Sequence, residues 1–197
     1  MKATFFERLG SYAIDILLLS VIASLICSGI TTNSSEASKK LDDITNKWNS
    51  GEITNEVYLE EYGNLMYDYQ KGNVIPLAVN ATLTIAYFVI FQYMNKGQTL
   101  GKKLFHIKVV DNKTEKPISI LKGLLRSLIT LGIISSCLNI LFIYVLNKNT
   151  YFIPYITIGV IELLFDLVTI IFILYKQDGR GLHDLMANSK VIKEGRG

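Results

Sequence analysis

The chain of 197 residues is half apolar, with a mean hydropathy of +0.32 and a formal net charge of +3. A mean hydropathy this high is unusual for a soluble globular protein. The apolar residues cluster in four runs, each close to the roughly 20 residues that a helix needs to cross about 30 Å of hydrocarbon. We therefore expect one all-α integral membrane domain over residues 1–197. Its four transmembrane helices are predicted at residues 9–30, 75–95, 124–146 and 153–175.

The first run contains an aspartate, Asp15, and an arginine, Arg8, stands just before it. Asp15 interrupts the apolar centre and no small-x-small cleavage site follows, so we expect a retained span and not a signal peptide. On one helix the two charged side chains would lie about 10.5 Å apart along the axis, too far for a direct pair. We expect Asp15 to meet another helix, and Arg8 to reach the membrane interface or a tail acid such as Asp184.

Residues 31–73, after the first run, form a polar segment that is too long for a bare connector. Apolar and aromatic side chains recur in it at helical spacing, in two stretches separated by the turn-like sequence NSGE. We expect an extracytoplasmic helical hairpin whose aromatic stripes pack on each other or on the membrane surface. The alternative is a docking surface for an outer partner. The stripes are Leu41, Ile44 and Trp48, then Tyr58, Tyr62, Leu65 and Tyr69.

Lysine and arginine are concentrated in residues 96–122 and 176–197. Basic short segments mark the cytoplasmic side, which predicts a multi-pass protein of the cell membrane with both termini in the cytoplasm. We expect these charges to face anionic lipids of the inner leaflet and not nucleic acid. Apolar side chains at every second position from Phe105 to Val109 indicate a half-buried strand. The sequence SKVIK near the C-terminus offers a partner, which predicts a small cytoplasmic β element.

The motifs that would indicate an enzyme are incomplete. The sequence GQTLGKK, residues 97–103, is one residue shorter than a phosphate-binding P-loop and lacks its hydroxyl residue. The chain has only two histidines, His106 and His183, so a metal cluster would lack ligands. No nucleophile elbow is present. We therefore expect no enzymatic activity, no metal and no cofactor.

Ionisable side chains inside the apolar runs are the main candidates for function. Each costs about 2.5 kcal/mol or more in hydrocarbon, so it should face the bundle interior and have a partner. Asp15 and Asp166 lie at similar predicted depths, and Glu162 lies one turn deeper on the face of Asp166. The candidates are Arg8, Asp15, Arg126, Glu162 and Asp166, with the amides of Asn80, Gln92 and Asn139.

Two hypotheses follow from these groups. In the structural hypothesis, Asp15 and Asp184 neutralise two arginines, Arg8 and Arg126, and so hold the helices and the tail together. In the functional hypothesis, Asp15 binds a proton or a small cation within the bundle, together with Asp166 or Glu162. Both are compatible with the rule that intramembrane charges are paired or functional.

The order of these features resembles the RDD family of membrane proteins. The resemblance rests on Arg8 and Asp15 in the first span, on GQTLGKKLFHIKVVD followed by LLRSL, and on GRGLHDLMANSKVI after the last span. It implies that Arg8 and Asp15 are the family's arginine and first aspartate. It also implies that Asp184, beside His183, is the second aspartate, with Asp166 as the other option. The implied motif residues are Gly97, Gln98, Thr99, Gly101 and Lys102.

The resemblance implies a multi-span membrane protein proposed to transport ligands, with cation/proton antiport suggested for some members. Our hypothesis is transport of small cations coupled to protons through the intramembrane acids. The alternative is a non-enzymatic regulatory or scaffold subunit that binds another membrane protein. Four spans are few for a complete alternating-access transporter, so transport would imply a homo-oligomer.

Overall fold

The computed structural model describes residues 1–30 and 34–194. Helices dominate it, and a small sheet joins the two ends of the chain. In chain order the elements are α1 (Phe5–Cys27), α2 (Ser34–Asn49), α3 (Asn55–Gly72), α4 (Val74–Met94), α5 (Leu100–Leu104), β1 (Ile107–Asp111), α6 (Ile120–Ser127), α7 (Ile133–Val145), α8 (Lys148–Tyr175), α9 (Leu182–Met186) and β2 (Ser189–Lys193).

Within the described residues, three helices are long and apolar enough to cross a membrane: α1, α4 and α8. The first begins four residues before its predicted start because Thr4 caps it: the Glu7 amide donates to Thr4 Oγ1 at 3.3 Å, and the Thr4 amide donates back to Glu7 at 2.8 Å. Helix α8 also begins before its predicted start, because Asn147 caps it: Asn147 Oδ1 accepts from the Thr150 amide at 3.0 Å.

The third apolar run is not one continuous helix, so the predicted span over residues 124–146 is wrong in that respect. Helix α6 ends at Ser127, and α7 begins only at Ile133, after Gly132 at a φ of +64°. The 13 residues of α7 rise only about 20 Å, against about 30 Å of hydrocarbon. The break brings the backbone at Gly132 close to α8, where a Cβ on Gly132 would lie 3.1 Å from Glu162 Oε1.

Helices α2 and α3 form the helical hairpin that the sequence predicts, and they pack against each other. The indole of Trp48 stacks on Tyr58 with ring centroids 4.8 Å apart. The ring of Tyr62 then meets Phe152 of α8 edge-on at 5.5 Å. The aromatic stripes therefore pack on each other and on α8. The predicted segment includes residues 31–33, which lie outside the described residues.

The predicted β element is confirmed. Strands β1 and β2 pair antiparallel, with Val109 opposite Val191. The N-terminal segment joins them: Lys2 bridges Ile192, and the Ala3 amide donates to the Val191 carbonyl at 3.1 Å. Both ends of the described chain therefore meet at one small apolar core, which comprises Ala3, Ile107, Val109, Ile118 and Val191.

Gly97, just before α5, lies against the backbone of β1. It has a φ of +91°, and a Cβ there would lie 2.1 Å from the Val109 carbonyl oxygen. Gly51, in the turn of the hairpin, has a φ of +78° but open space around it. We expect Gly97→Ala to cost about 3 kcal/mol or more, whereas Gly51→Ala costs about 1 kcal/mol of backbone strain. Thermal unfolding of the purified protein in detergent measures both, and equal losses of Tm would contradict the close contact.

Candidate functional site

The Asp184 carboxylate, on α9, is fully buried between two arginines. Arg8 Nη1 donates to Asp184 Oδ2 at 2.9 Å, and Arg126 Nη1 donates to Oδ1. Ser189 Oγ donates to Oδ1 at 2.9 Å. A buried charge is costly unless it is paired and hydrogen-bonded, and both oxygens meet that condition here. Asp184 thus joins α1, α6 and β2 through one side chain.

His183 precedes this carboxylate and is also buried. Its Nε2 lies 3.5 Å from Asp184 Oδ2. Burial lowers the pKa of His183 well below its usual value, and the positive charge of Arg126 lowers it further. The imidazole is therefore neutral near pH 7, and it adds no positive charge to the two arginines.

The Asp15 carboxylate, on α1, is also fully buried but has different partners. Thr99 Oγ1 donates to Oδ2 at 2.5 Å, while the Gly101 amide and the Tyr87 hydroxyl donate to Oδ1 at 2.7 and 2.6 Å. A Cβ on Gly101 would lie 2.1 Å from the Ser11 carbonyl oxygen, so the backbones of α5 and α1 are in direct contact at this point. Asp15 therefore fastens α1 to α4 and to the start of α5.

The remaining motif residues also hold this segment in place. Gln98 Nε2 donates to the Ile107 carbonyl at 3.0 Å and to Glu194 at 3.2 Å. Lys102 Nζ donates to Gln92 Oε1 at 2.8 Å. Burial lowers the pKa of Lys102 to about 7, with a smaller contribution from the charge of Arg126. The GQTLGKK sequence is thus a tightly bonded turn between α4 and β1.

The two intramembrane acids of α8 differ from Asp15 and Asp184. Among the described residues, no hydrogen bond or ion pair engages the carboxylates of Glu162 and Asp166, and Asp166 Oδ1 is buried without a partner. Asp166 lines a cavity of about 250 Å³ between α1 and α8. Glu162 lines a second cavity, of about 440 Å³, with residues of α3, α4 and α7. We call these the inner and the outer cavity.

The structure thus separates the predicted charges into two sets. Arg8, Arg126 and Asp184 come together, whereas Asp15 bonds to Thr99, Gly101 and Tyr87 instead. Asp166 lines the inner cavity with Arg8 and Arg126, but Asp15 does not.

A family model described as the RDD family matches residues 2–188, nearly the whole chain. The chain belongs to the RDD family. Proteins of this family are membrane proteins, in agreement with the three long apolar helices. No curated protein and no solved structure matches the chain.

A polar cluster of this RDD-family protein lies beside the outer cavity, which is lined by Gln70, Asn139 and Tyr155 of that cluster. The Tyr151 hydroxyl donates to Asn139 Oδ1, and Asn139 Nδ2 donates to Gln70 Oε1 at 3.2 Å. Gln70 Nε2 in turn donates to the Tyr155 hydroxyl at 3.1 Å. The cluster joins α3, α7 and α8. Of the other predicted amides, Gln92 accepts from Lys102, and Asn80 donates to the Pro76 carbonyl of its own helix.

Sequence reasoning missed Tyr87, Ser189 and Thr169. Tyr87 lies in a π-helical turn of α4, residues Ala86–Phe91, and such turns are frequent at functional sites. Nothing in the apolar run indicates where this turn occurs. Ser189 could have been suspected, because it lies five residues after Asp184 in the tail motif. Thr169 lies three residues after Asp166 on α8, and this spacing places both side chains on one helix face. The sequence could therefore have indicated that Thr169 accompanies Asp166.

Asp184→Asn removes the negative charge between Arg8 and Arg126 and leaves two buried guanidinium groups without a counter-ion. We expect a loss of about 3–5 kcal/mol, seen as a large drop in Tm or as loss of folded protein from detergent extracts. The matched control is Asp43→Asn, since Asp43 forms an exposed pair with Lys47 at 2.7 Å and should cost less than about 1 kcal/mol. Similar Tm values for the two variants would show that the buried pairs do not hold the fold.

Proposed function

We propose that this RDD-family protein is a non-enzymatic transporter of the cell membrane that exchanges small cations for protons through the acids of α8. One observation carries the proposal. Glu162 and Asp166 lie one turn apart on the same helix face, they make no hydrogen bond or ion pair with the described residues, and they line two different cavities. Intramembrane ionisable groups that face a cavity are typical of ion and proton pathways.

The membrane topology is part of the proposal. The N-terminal segment is hydrogen-bonded to β2, so the start of α1 and the end of α8 lie on one side. An even number of crossings follows, and we propose four, with the broken third run as one of them. Discontinuous helices are tolerated in membranes where they line a cavity, as α7 does here. The basic segments, residues 96–122 and 176–197, favour a cytoplasmic location of both termini.

The two cavities are lined by different charges, and this difference suggests where the proton and where the metal cation binds. The inner cavity is lined by Arg8, Lys102 and Arg126 as well as Asp166, so it repels metal cations. We assign proton exchange to Asp166 there. The outer cavity contains oxygens that suit a small cation; besides Glu162, they come from Gln70, Ser135, Ser136, Asn139 and Tyr155. We assign cation binding to this outer set.

Asp15 and Asp184 have no place in the exchange step of this proposal. Each is buried and already accepts three hydrogen bonds from its partners. Donors of the protein itself therefore occupy both oxygens of each carboxylate, as expected of groups that hold helices together. We also propose a homo-oligomer, because four crossings are few for a complete transporter.

Proton flux tests the proposal in proteoliposomes that carry a pH gradient, with sodium, lithium or potassium added in turn. We expect cation-dependent collapse of the gradient in the wild type. Asp166→Asn and Glu162→Gln should each slow it by about tenfold or more, since each removes a titratable group from the path. The control is Asp42→Asn, which alters an exposed acid on α2 and should leave the flux unchanged.

A flat trace from folded, reconstituted wild-type protein would contradict the proposal. Flux that is equal in Asp166→Asn and in the wild type would also contradict the role of α8. Loss of flux in Asp15→Asn would not support a transport role for Asp15 unless the Tm of that variant matched the wild type.

A regulatory or scaffold subunit is the second candidate, and the hairpin favours it. Helix α2 packs on α3, and α3 packs on α8, so α2 forms an outer layer with a charged, exposed face. Such a layer suits contact with another membrane protein. Two results together would favour this candidate. The flux trace would be flat, and a membrane protein would co-purify with the wild type but not with a variant in which the charges of exposed residues on α2 are reversed.

A further inference from the structure

The inner cavity collects the unsatisfied polar atoms of the protein. Within residues 1–30 and 34–194, the buried side-chain nitrogens and oxygens without a hydrogen-bond partner belong to four residues, and all four line this cavity. Buried polar groups are nearly always hydrogen-bonded, so a set of exceptions in one place indicates a missing partner. The atoms are Arg8 Nε and Nη2, Asp166 Oδ1, Thr169 Oγ1 and His183 Nδ1.

The Arg8 guanidinium shows what kind of partner would fit. Its Nη1 is engaged by Asp184 at 2.9 Å, which fixes the orientation of the group. The buried and unpartnered atoms, Nε and Nη2, form the opposite edge. Two parallel N–H donors on one edge match the two oxygens of a carboxylate or a phosphate. A metal cation offers these donors no acceptor, and an anion adds a charge attraction that a neutral acceptor lacks.

The charges of the lining favour an anion. Three basic side chains line the cavity: Arg8, Lys102 and Arg126. Within the described residues, both arginines form their ion pair with the same acid, Asp184. Asp166 is the acid that faces the cavity itself. Two arginines share the single carboxylate of Asp184, so that carboxylate leaves one guanidinium charge unbalanced, and a low-dielectric wall strengthens its field.

Much of the remaining lining is apolar, and part of it lies on the exposed surface of the helices. The cavity lies between α1 and α8, and Leu9, Tyr12 and Ile170 on these helices are each at least 40% exposed. At about 1.5 Å per residue, Arg8 lies roughly 4.5 Å from the start of α1, within its first turn. Asp166 lies roughly 13 Å from the end of α8, well inside that apolar helix. A ligand in this space has a polar end at Arg8 and an apolar end beyond it.

We propose that the inner cavity is a binding site for an anionic amphiphile, whose phosphate or carboxylate oxygens accept from the Nε and Nη2 edge of Arg8. Its apolar part lies between α1 and α8. The Thr169 hydroxyl faces the same space. This site shares the inner cavity with Asp166 but uses none of the cation-binding residues proposed for the outer cavity, and its existence does not depend on transport.

Thr130 provides a matched pair of variants for the test. It lines the cavity, and its hydroxyl donates only to the Arg126 carbonyl of its own turn, at 3.3 Å. Thr130→Glu and Thr130→Gln have nearly the same size and differ by one negative charge. Native mass spectrometry of the full chain in detergent, with equal amounts of phosphatidylglycerol and phosphatidylcholine, measures retained lipid. We expect one retained phosphatidylglycerol in wild type and in Thr130→Gln, and about tenfold weaker retention in Thr130→Glu.

Arg8→Lys is a second variant, which keeps the positive charge beside Asp184 but removes the two-donor edge. We expect it to fold and to lose the preference for phosphatidylglycerol. Equal retention of both lipids by wild type, or equal retention of phosphatidylglycerol by the two Thr130 variants and by Arg8→Lys, would overturn the proposal, because the cavity would then not select an anionic ligand.

Inorganic phosphate distinguishes the two sources of the anion. If roughly 10 mM phosphate displaces phosphatidylglycerol, the headgroup chemistry suffices, and the site also accepts a soluble anion. If phosphate has no effect, the apolar chain contributes to binding, and a membrane lipid is the ligand. Either result supports the anion site and identifies where its ligand comes from.

Discussion

The charge balance around Asp184 is the constraint on which the rest of this fold depends. Two arginines, Arg8 on α1 and Arg126 on α6, converge on one buried carboxylate, and Ser189 completes its hydrogen bonds. Arginine keeps its charge in proteins, so the arginines cannot relieve their burial by losing a proton. The position of α9 and β2 relative to the helices is therefore set by the need to neutralise them.

A contrast between satisfied and unsatisfied polar groups runs through the protein. On the side of α5, the carboxylate of Asp15 has three donors, and the sheet and the N-terminal segment close around an apolar core. On the side of α8, Glu162 and Asp166 lie in cavities without partners among the described residues. Fully hydrogen-bonded groups on the side of α5 can hold the helices in place, while the carboxylates of α8 keep their oxygens available. This is the arrangement expected of a scaffold that positions a binding site.

The sequence predicted the elements better than their contacts. Hydropathy located α1, α4 and α8, and periodicity located the hairpin and β1, because burial on one face leaves a regular pattern. The break at Gly132 was missed, since an apolar run has the same hydropathy whether or not its helix is continuous. The sequence suggested Asp184 as one possible partner of Arg8, but it did not identify the partners of Asp15. Tyr87, Thr99 and Gly101 lie 72, 84 and 86 positions from Asp15, and no local pattern encodes such contacts.

The place of Asp184 in the chain order has a consequence for biosynthesis. Arg8 and Arg126 are both made well before residue 184, so they enter the membrane region while their counter-ion does not yet exist. Until the tail emerges, each must be hydrated or must contact lipid phosphates. Asp184 is thus made after both arginines, and a chain truncated before α9 would carry α1, α4, α6, α7 and α8 but not the carboxylate that neutralises Arg8 and Arg126.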